Sequence, residues 1–192
     1  MNEGLPEPPP AAVPGEKRPQ VAYPESPNGA ETLDLPIRKA RVADVEAILA
    51  LVNDYAARNV MLPRGPQYLY ENIRDFAVVV DEEAGGAIVA CGSLHVLWED
   101  MAEVRSLAIH PAYQNRGLGR RLVEHLKVEA LRLGIRRLFT FTLSEDFFAR
   151  LGFVRKGREE LPAKVWGECS RCPKYFRCDE VGMVLDLGEE DP

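Results

Sequence analysis

Nowhere in the 192 residues does an apolar run approach the ~20 residues that a bilayer-crossing helix needs. The opening Met1-Asn2-Glu3-Gly4-Leu5-Pro6 has neither the basic start nor the apolar stretch of a secretory signal. Basic charge is also short: 24 Lys and Arg against 30 Asp and Glu give a formal charge of -6 and a pI near 5.2. A general nucleic-acid or membrane-surface binder draws its affinity from a basic field, so both partner classes are disfavoured and any anion must be held by local groups. Cysteine is scarce. Cys91, Cys169, Cys172 and Cys178 are the whole supply, and in a reducing compartment they are free or metal-bound rather than a disulfide framework. These absences place the chain in the cytoplasm.

What is present suits one ordinary α/β domain: 46% hydrophobic and 28% charged residues. Residues 1–32 are crowded with proline, including Pro8-Pro9-Pro10, and poor in large apolar side chains, the composition of a disordered tail. The domain is expected over 33–188, with 189–192 as a short acidic tail. Leu33 to Arg38 reads as a first, edge strand because of Pro36. Val45, Ile48, Leu49 and Val52 recur at helical spacing over about 43–58, with Asp44 as N-cap, and a second helix is expected from Gln67 to Asp75. Ala77–Val80 and Ala87–Ala90 flank a polar, glycine-bearing hairpin turn, the second strand running on toward Trp98. Further strands are expected at Ala102–Ile109, Arg137–Thr142, Gly152–Val154 and Val181–Leu187. A long helix follows Leu118 to Leu133, and a short one Ser144 to Leu151. The expectation is a mixed central sheet of six to seven strands with flanking helices.

The residues that carry chemistry sit where the strand ending at Ile109 meets the long helix. Gln114-Asn115-Arg116-Gly117-Leu118-Gly119 forms a glycine-bearing turn opening a helix whose first amides lack intrahelical partners, and glycine lets the backbone approach a pyrophosphate closely. Arg116, Arg120 and Arg121 add local positive charge. Gly119 is followed by two arginines rather than Lys-Ser/Thr, so the turn is unlike a nucleotide hydrolase loop. This stretch resembles the acyl-CoA signature of the GNAT superfamily of N-acyltransferases, Gln/Arg-x-x-Gly-x-Gly/Ala after a strand. Phe147 to Phe153 resembles that superfamily's short helix and following Leu-Gly-Phe, and the likeness covers about 34–188. The resemblance implies acetyl-CoA as co-substrate, with Leu107, Ala108, Ile109, Gln114 to Arg120 and Phe148 along it. The Leu107 amide would face the thioester carbonyl, and the Ile109 backbone would pair with pantetheine. A donor aimed at the developing oxyanion is what acyl transfer requires.

An amine at neutral pH must lose a proton before it attacks, directly or through one water. Glu103 stands where many members of the superfamily place a glutamate base. Phe148 stands where many carry a tyrosine acid, so coenzyme A must leave as thiolate or take a proton from water. Met61-Leu62-Pro63-Arg64, Leu161-Pro162-Ala163-Lys164 and the cysteine-bearing stretch from Cys169 to Glu180 resemble short bacterial N-acetylglutamate synthases. That likeness implies direct transfer of acetyl to the α-amine of L-glutamate, the first step of arginine biosynthesis. Arg64 would clamp one carboxylate, with Ser144 and Lys164 on the other and Arg105 and Arg177 as further cations. Cys169, Cys172 and Cys178 offer only three metal ligands, so no metal is assigned. Three readings remain in view: the glutamate enzyme, an N-acetyltransferase for another small amine or a protein N-terminus, and a non-catalytic acetyl-CoA sensor. A homodimer is left open.

Overall fold

Seven strands in the order β1-β2-β3-β4-β5-β7-β6 make one sheet, antiparallel everywhere except between β4 and β5. The computed structural model describes residues 32–157, 160–161, 172 and 175–188, and the expected tails 1–31 and 189–192 lie outside them. In chain order the elements are β1 Ile37–Lys39, α1 Val45–Ala57, α2 Pro66–Asn72, β2 Phe76–Asp81, β3 Ala87–Val96 and β4 Met101–Ile109. They continue with α3 Leu118–Arg132, β5 Arg137–Thr142, α4 Glu145–Ala149, β6 Val154–Lys156 and β7 Val181–Asp186. Among the described residues no helix is long and apolar enough to cross a membrane.

The one parallel pairing dictates the layering, because parallel neighbours need a crossover and α3 supplies it. Leu118, Leu122, Val123, Leu126 and Ala130 recur at helical spacing and are buried against Ala90, Leu94, Ala102 and Val104 of β3 and β4. Truncating a fully buried member such as Leu122 to alanine costs about 2–5 kcal/mol. On the opposite face Val45, Ile48, Val52 and Leu69 of α1 and α2 cover Phe76, Val78, Val80, Cys91 and Ala108. Burial pushes the Cys91 thiol up to about 12, which makes it an inert core residue.

Two expected strands shift. Leu33 to Leu35 stays out of the ladder because its polar groups are used elsewhere, and Pro36 contributes only its carbonyl, which accepts from the Val80 amide of β2 at 3.0 Å. The Leu33 amide donates to the Arg116 carbonyl at 3.1 Å, and Arg121 Nη1 donates to the carbonyls of Leu33 and Leu35 at 2.9 Å each. Arg121 Nη2 also lies 2.6 Å from Asp34. Strand β6 begins at Val154 rather than Gly152, since the Gly152 and Phe153 amides close α4 by donating to Ala149 and Phe148. The two first helices are each flanked by a single 3-10 turn, Val42–Asp44 before α1 and Ile73–Asp75 after α2. Asp44 sits at the α1 N-cap but makes no capping bond. Its carboxylate takes the fork of Arg38 at 2.6 and 3.0 Å and the Arg41 amide at 2.7 Å.

Candidate active site

Strands β4 and β5 are paired only from Met101–Arg137 to Glu103–Phe139, after which they part. A bulge in β4 accompanies the parting: Cys91 faces Ala108 and Ser93 faces Arg105, so Ser106 and Leu107 together stand opposite one β3 residue. Ser106 has φ 53, the strained left-handed region for a non-glycine residue. A bulge leaves a residue out of the ladder and re-aims its backbone, here into the gap. The result is a cleft of about 600 Å³ between the parted strands. Leu107 and Ile109 line one wall, Thr140 and Thr142 the other, with Phe147 and Phe148 from α4.

At one end of the cleft lies the turn into α3. Asn115 and Gly117 both have positive φ, 57 and 78, which folds the backbone back so that Leu118, Gly119 and Arg120 start a helical turn with amides outside the intrahelical ladder. A Cβ on Gly117 would lie 2.8 Å from the Thr32 methyl, and one on Gly119 would lie 2.9 Å from Ile109 Cδ1. Gly117 is favoured by its left-handed backbone, whereas a side chain at Gly119 would have to push aside the tip of Ile109. Gln114, Asn115, Gly117, Leu118, Gly119 and Arg120 line the cleft; Arg116 is half-buried and does not, and Ala108 is buried in the α1 face of the core.

Tyr55 on α1 was not marked by any motif, yet it lines the cleft and ties its parts together. Its hydroxyl donates to the Ile109 carbonyl at 2.7 Å, and Gln114 Nε2 donates to that hydroxyl at 2.6 Å. A half-buried tyrosine on the core side of α1 is indistinguishable in sequence from ordinary packing. Tyr113 is a second unmarked residue. Its hydroxyl donates to Asp81 at 2.7 Å, which raises the phenol and lowers the carboxyl, the latter also accepting the Ala84 amide.

The other end carries charge. Glu103 is 1% exposed and stands just behind the cleft wall, which begins at Val104. Its Oε2 lies 3.7 Å from Arg105 Nη1, and its cross-strand partner is His95, whose Nδ1 lies 2.8 Å from Asp75. Arg105 does line the cleft. Arg64 does not; its loop contributes Val60 and Met61, while its own guanidinium stacks 4.2 Å from the centroid of the Tyr68 ring. Asn53 holds the Arg64 backbone by two 3.0 Å bonds, its amide to the Arg64 carbonyl and its oxygen from the Arg64 N–H.

Ser144 lines the cleft at the start of α4 without capping it; its own amide is taken by the Thr142 hydroxyl at 2.9 Å. Phe148 is buried, edge-on to Phe147 and Phe153, and offers no proton. Lys164 and Cys169 lie outside the described residues. Among the described residues no group of His, Cys, Asp or Glu side chains is arranged to hold a metal.

A mixed sheet parted around a cleft, with a helix N-terminus at one end and a buried carboxylate at the other, is the architecture of an acyl-transferring α/β protein. The profile of the acetyltransferase (GNAT) family matches residues 46–153, and the chain belongs to that family. An uncharacterized N-acetyltransferase of Chlorobaculum tepidum is 36% identical over 154 residues, 80% of this chain and 97% of its own. The amino-acid acetyltransferase of Mycobacterium tuberculosis is 38% identical over 158 residues, 81% of this chain and 87% of its own. Among solved structures, N-acetylglutamate synthase from Neisseria gonorrhoeae, complexed with coenzyme A and N-acetyl-glutamate, is similar with a TM-score of 0.73 and 26% identity. That match spans 83% of this chain and 37% of the Neisseria chain.

Proposed function

We propose that the protein transfers acetyl from acetyl-CoA to the α-amine of L-glutamate. The carrying observation is the cleft itself: open between β4 and β5, it has an anion-suited turn at one end and the Glu103–Arg105 pair at the other. The likeness to proteins named amino-acid acetyltransferase supports an amino-acid acceptor.

Phosphate oxygens suit the amides opening α3 and Arg120 beside them, where partial positive charge collects without a basic chain. The thioester carbonyl would lie against the β4 bulge, where the Leu107 amide donates to the oxyanion. Glu103 accepts the amine proton, through one intervening water given its place behind the wall. The amine nitrogen bonds to the acetyl carbon to give a tetrahedral oxyanion; as this collapses the carbon–sulfur bond breaks, the second proton on nitrogen passes to water, and coenzyme A departs as thiolate, Phe148 having no proton to give. Arg64 reads the side-chain carboxylate of the acceptor, and Ser144 serves as a polar contact on the cleft wall.

Coenzyme A release, measured with purified protein against a panel of L-amino acids, small amines and N-terminal peptides, tests the reading. Turnover selective for glutamate is expected. Turnover confined to another amine, or binding of acetyl-CoA with no turnover on any acceptor, overturns it.

A further inference from the structure

Three side chains from three elements meet on the α1-facing side of the sheet. Arg105 projects from β4, its side chain only 9% exposed yet lining the cleft, and the Ser93 hydroxyl holds its backbone by donating to the Arg105 carbonyl at 3.1 Å. Tyr68 comes from α2. Arg64 comes from the loop between α1 and α2. Both guanidinium groups lie on the one tyrosine ring, 4.2 Å from its centroid for Arg64 and 5.8 Å for Arg105. A guanidinium held over an aromatic face is fixed in place while its hydrogen-bond donors stay in its own plane. Two forks tied to one ring are within a single amino acid's reach of each other.

Their places differ in a way that assigns them. Arg105 is two residues along β4 from Leu107 and 3.7 Å from Glu103, the group placed to take the amine proton. The α-carboxylate is one carbon from that amine, so a cation beside the base is the one that meets it. Arg64, whose backbone is pinned to Asn53, does not line the cleft and is linked to Arg105 only through the Tyr68 ring, which leaves it the distal end of an acceptor whose α-carboxylate Arg105 holds. We infer that Arg105 is the α-carboxylate clamp, with Tyr68 a positioning residue that sets its distance from Arg64. This rests on the proposed amino-acid acceptor and deepens it: Arg105 demands any free α-amino acid, and Arg64 then selects glutamate.

The test pairs two variants with two acceptor analogues. L-isoglutamine replaces the α-carboxylate by an amide, and L-glutamine replaces the side-chain carboxylate. In the wild-type protein kcat/KM for glutamate is expected to exceed that for isoglutamine at least tenfold. In Arg105→Met that ratio falls toward one while the glutamate-to-glutamine ratio persists; Arg64→Met does the converse. Tyr68→Leu narrows both ratios, and Tyr68→Phe, which keeps the ring, restores them. If Arg105→Met lowers glutamate and isoglutamine in proportion, leaving their ratio at the wild-type value, Arg105 is a structural cation and the inference fails. Retained acetyl-CoA affinity shows that the variant is folded. Should Arg105→Met not fold, Arg105→Lys, which keeps the charge but not the fork, gives the same readout: an intermediate ratio supports the clamp, an unchanged ratio removes it. Wild-type protein that acetylates no α-amino acid sinks the parent reading separately, before either variant is made.

Discussion

Glu103 shows what a single residue in this fold can and cannot reveal. Its place in the strand expected over Ala102–Ile109, where many members of the superfamily carry a glutamate, nominates it, but only the structure shows that it is buried behind the wall next to Arg105 and opposite His95. Glu103→Gln keeps the shape and removes the base, so kcat is expected to fall by roughly 10²- to 10⁴-fold, with acetyl-CoA affinity measured by calorimetry nearly unchanged. A variant with wild-type turnover removes the role. Arg64→Met is expected to weaken glutamate by about 1.5–3 kcal/mol, the worth of a charge-assisted bond, read as a raised acceptor KM with coenzyme affinity intact. Gly117 was legible in sequence because a left-handed turn favours glycine. Tyr55 was not, since its value lies in a bond to a strand 54 positions away.

At the scale of elements, periodicity carried the long helix and the strands that flank it. The residues of α3 repeat at helical spacing over four turns, and no alternative period competes. Short pieces were harder to place. β1 was shortened by bonds to Arg116 and Arg121, partners remote in sequence, and β6 by the local bonds with which Gly152 and Phe153 close α4. No local pattern announces the bulge at Ser106 or the parting of β4 from β5. Helix α1 holds one side of that parting through Tyr55. Tyr55→Phe removes the 2.7 Å hydroxyl donor to the Ile109 carbonyl and the hydroxyl that accepts from Gln114, leaving the 3.4 Å bond from Gln114 Nε2 to the Ile109 carbonyl. Stability is expected to drop by about 0.5–1.5 kcal/mol in urea unfolding, and the KM for acetyl-CoA to rise while that for the acceptor holds. A variant in which only the acceptor KM moves would assign Tyr55 to the other end of the cleft.

For the whole molecule, two groups far from the cleft contribute to acid sensitivity in separate pH ranges. His125 on α3 is held below the ordinary histidine value, mainly by burial and further by Lys39 and Arg132, with Glu129 opposing. Its neutral form is favoured in the folded state, so the stability it contributes is present above about 6.5 and is lost as pH falls through the lowered value. Asp44, held low chiefly by Arg38, adds a second loss only below the usual carboxylate range. Melting temperatures from pH 8 to 3 are expected to decline in two stages, and His125→Gln should flatten the first while leaving the second. An unaltered first stage assigns it to another group. The carbonyl of Arg116 and the first-turn Arg121 hold residues 33 to 35, while the next amides of the same turn are the ones suited to phosphate. Any ligand that favours this turn geometry must also tighten the strap, and reciprocally, by thermodynamic linkage. The Leu33 amide is thus a built-in reporter: its hydrogen exchange is expected to slow when coenzyme A is added, and Arg121→Ala should uncouple the two, making occupancy of the phosphate end readable without any chemistry at the acceptor end.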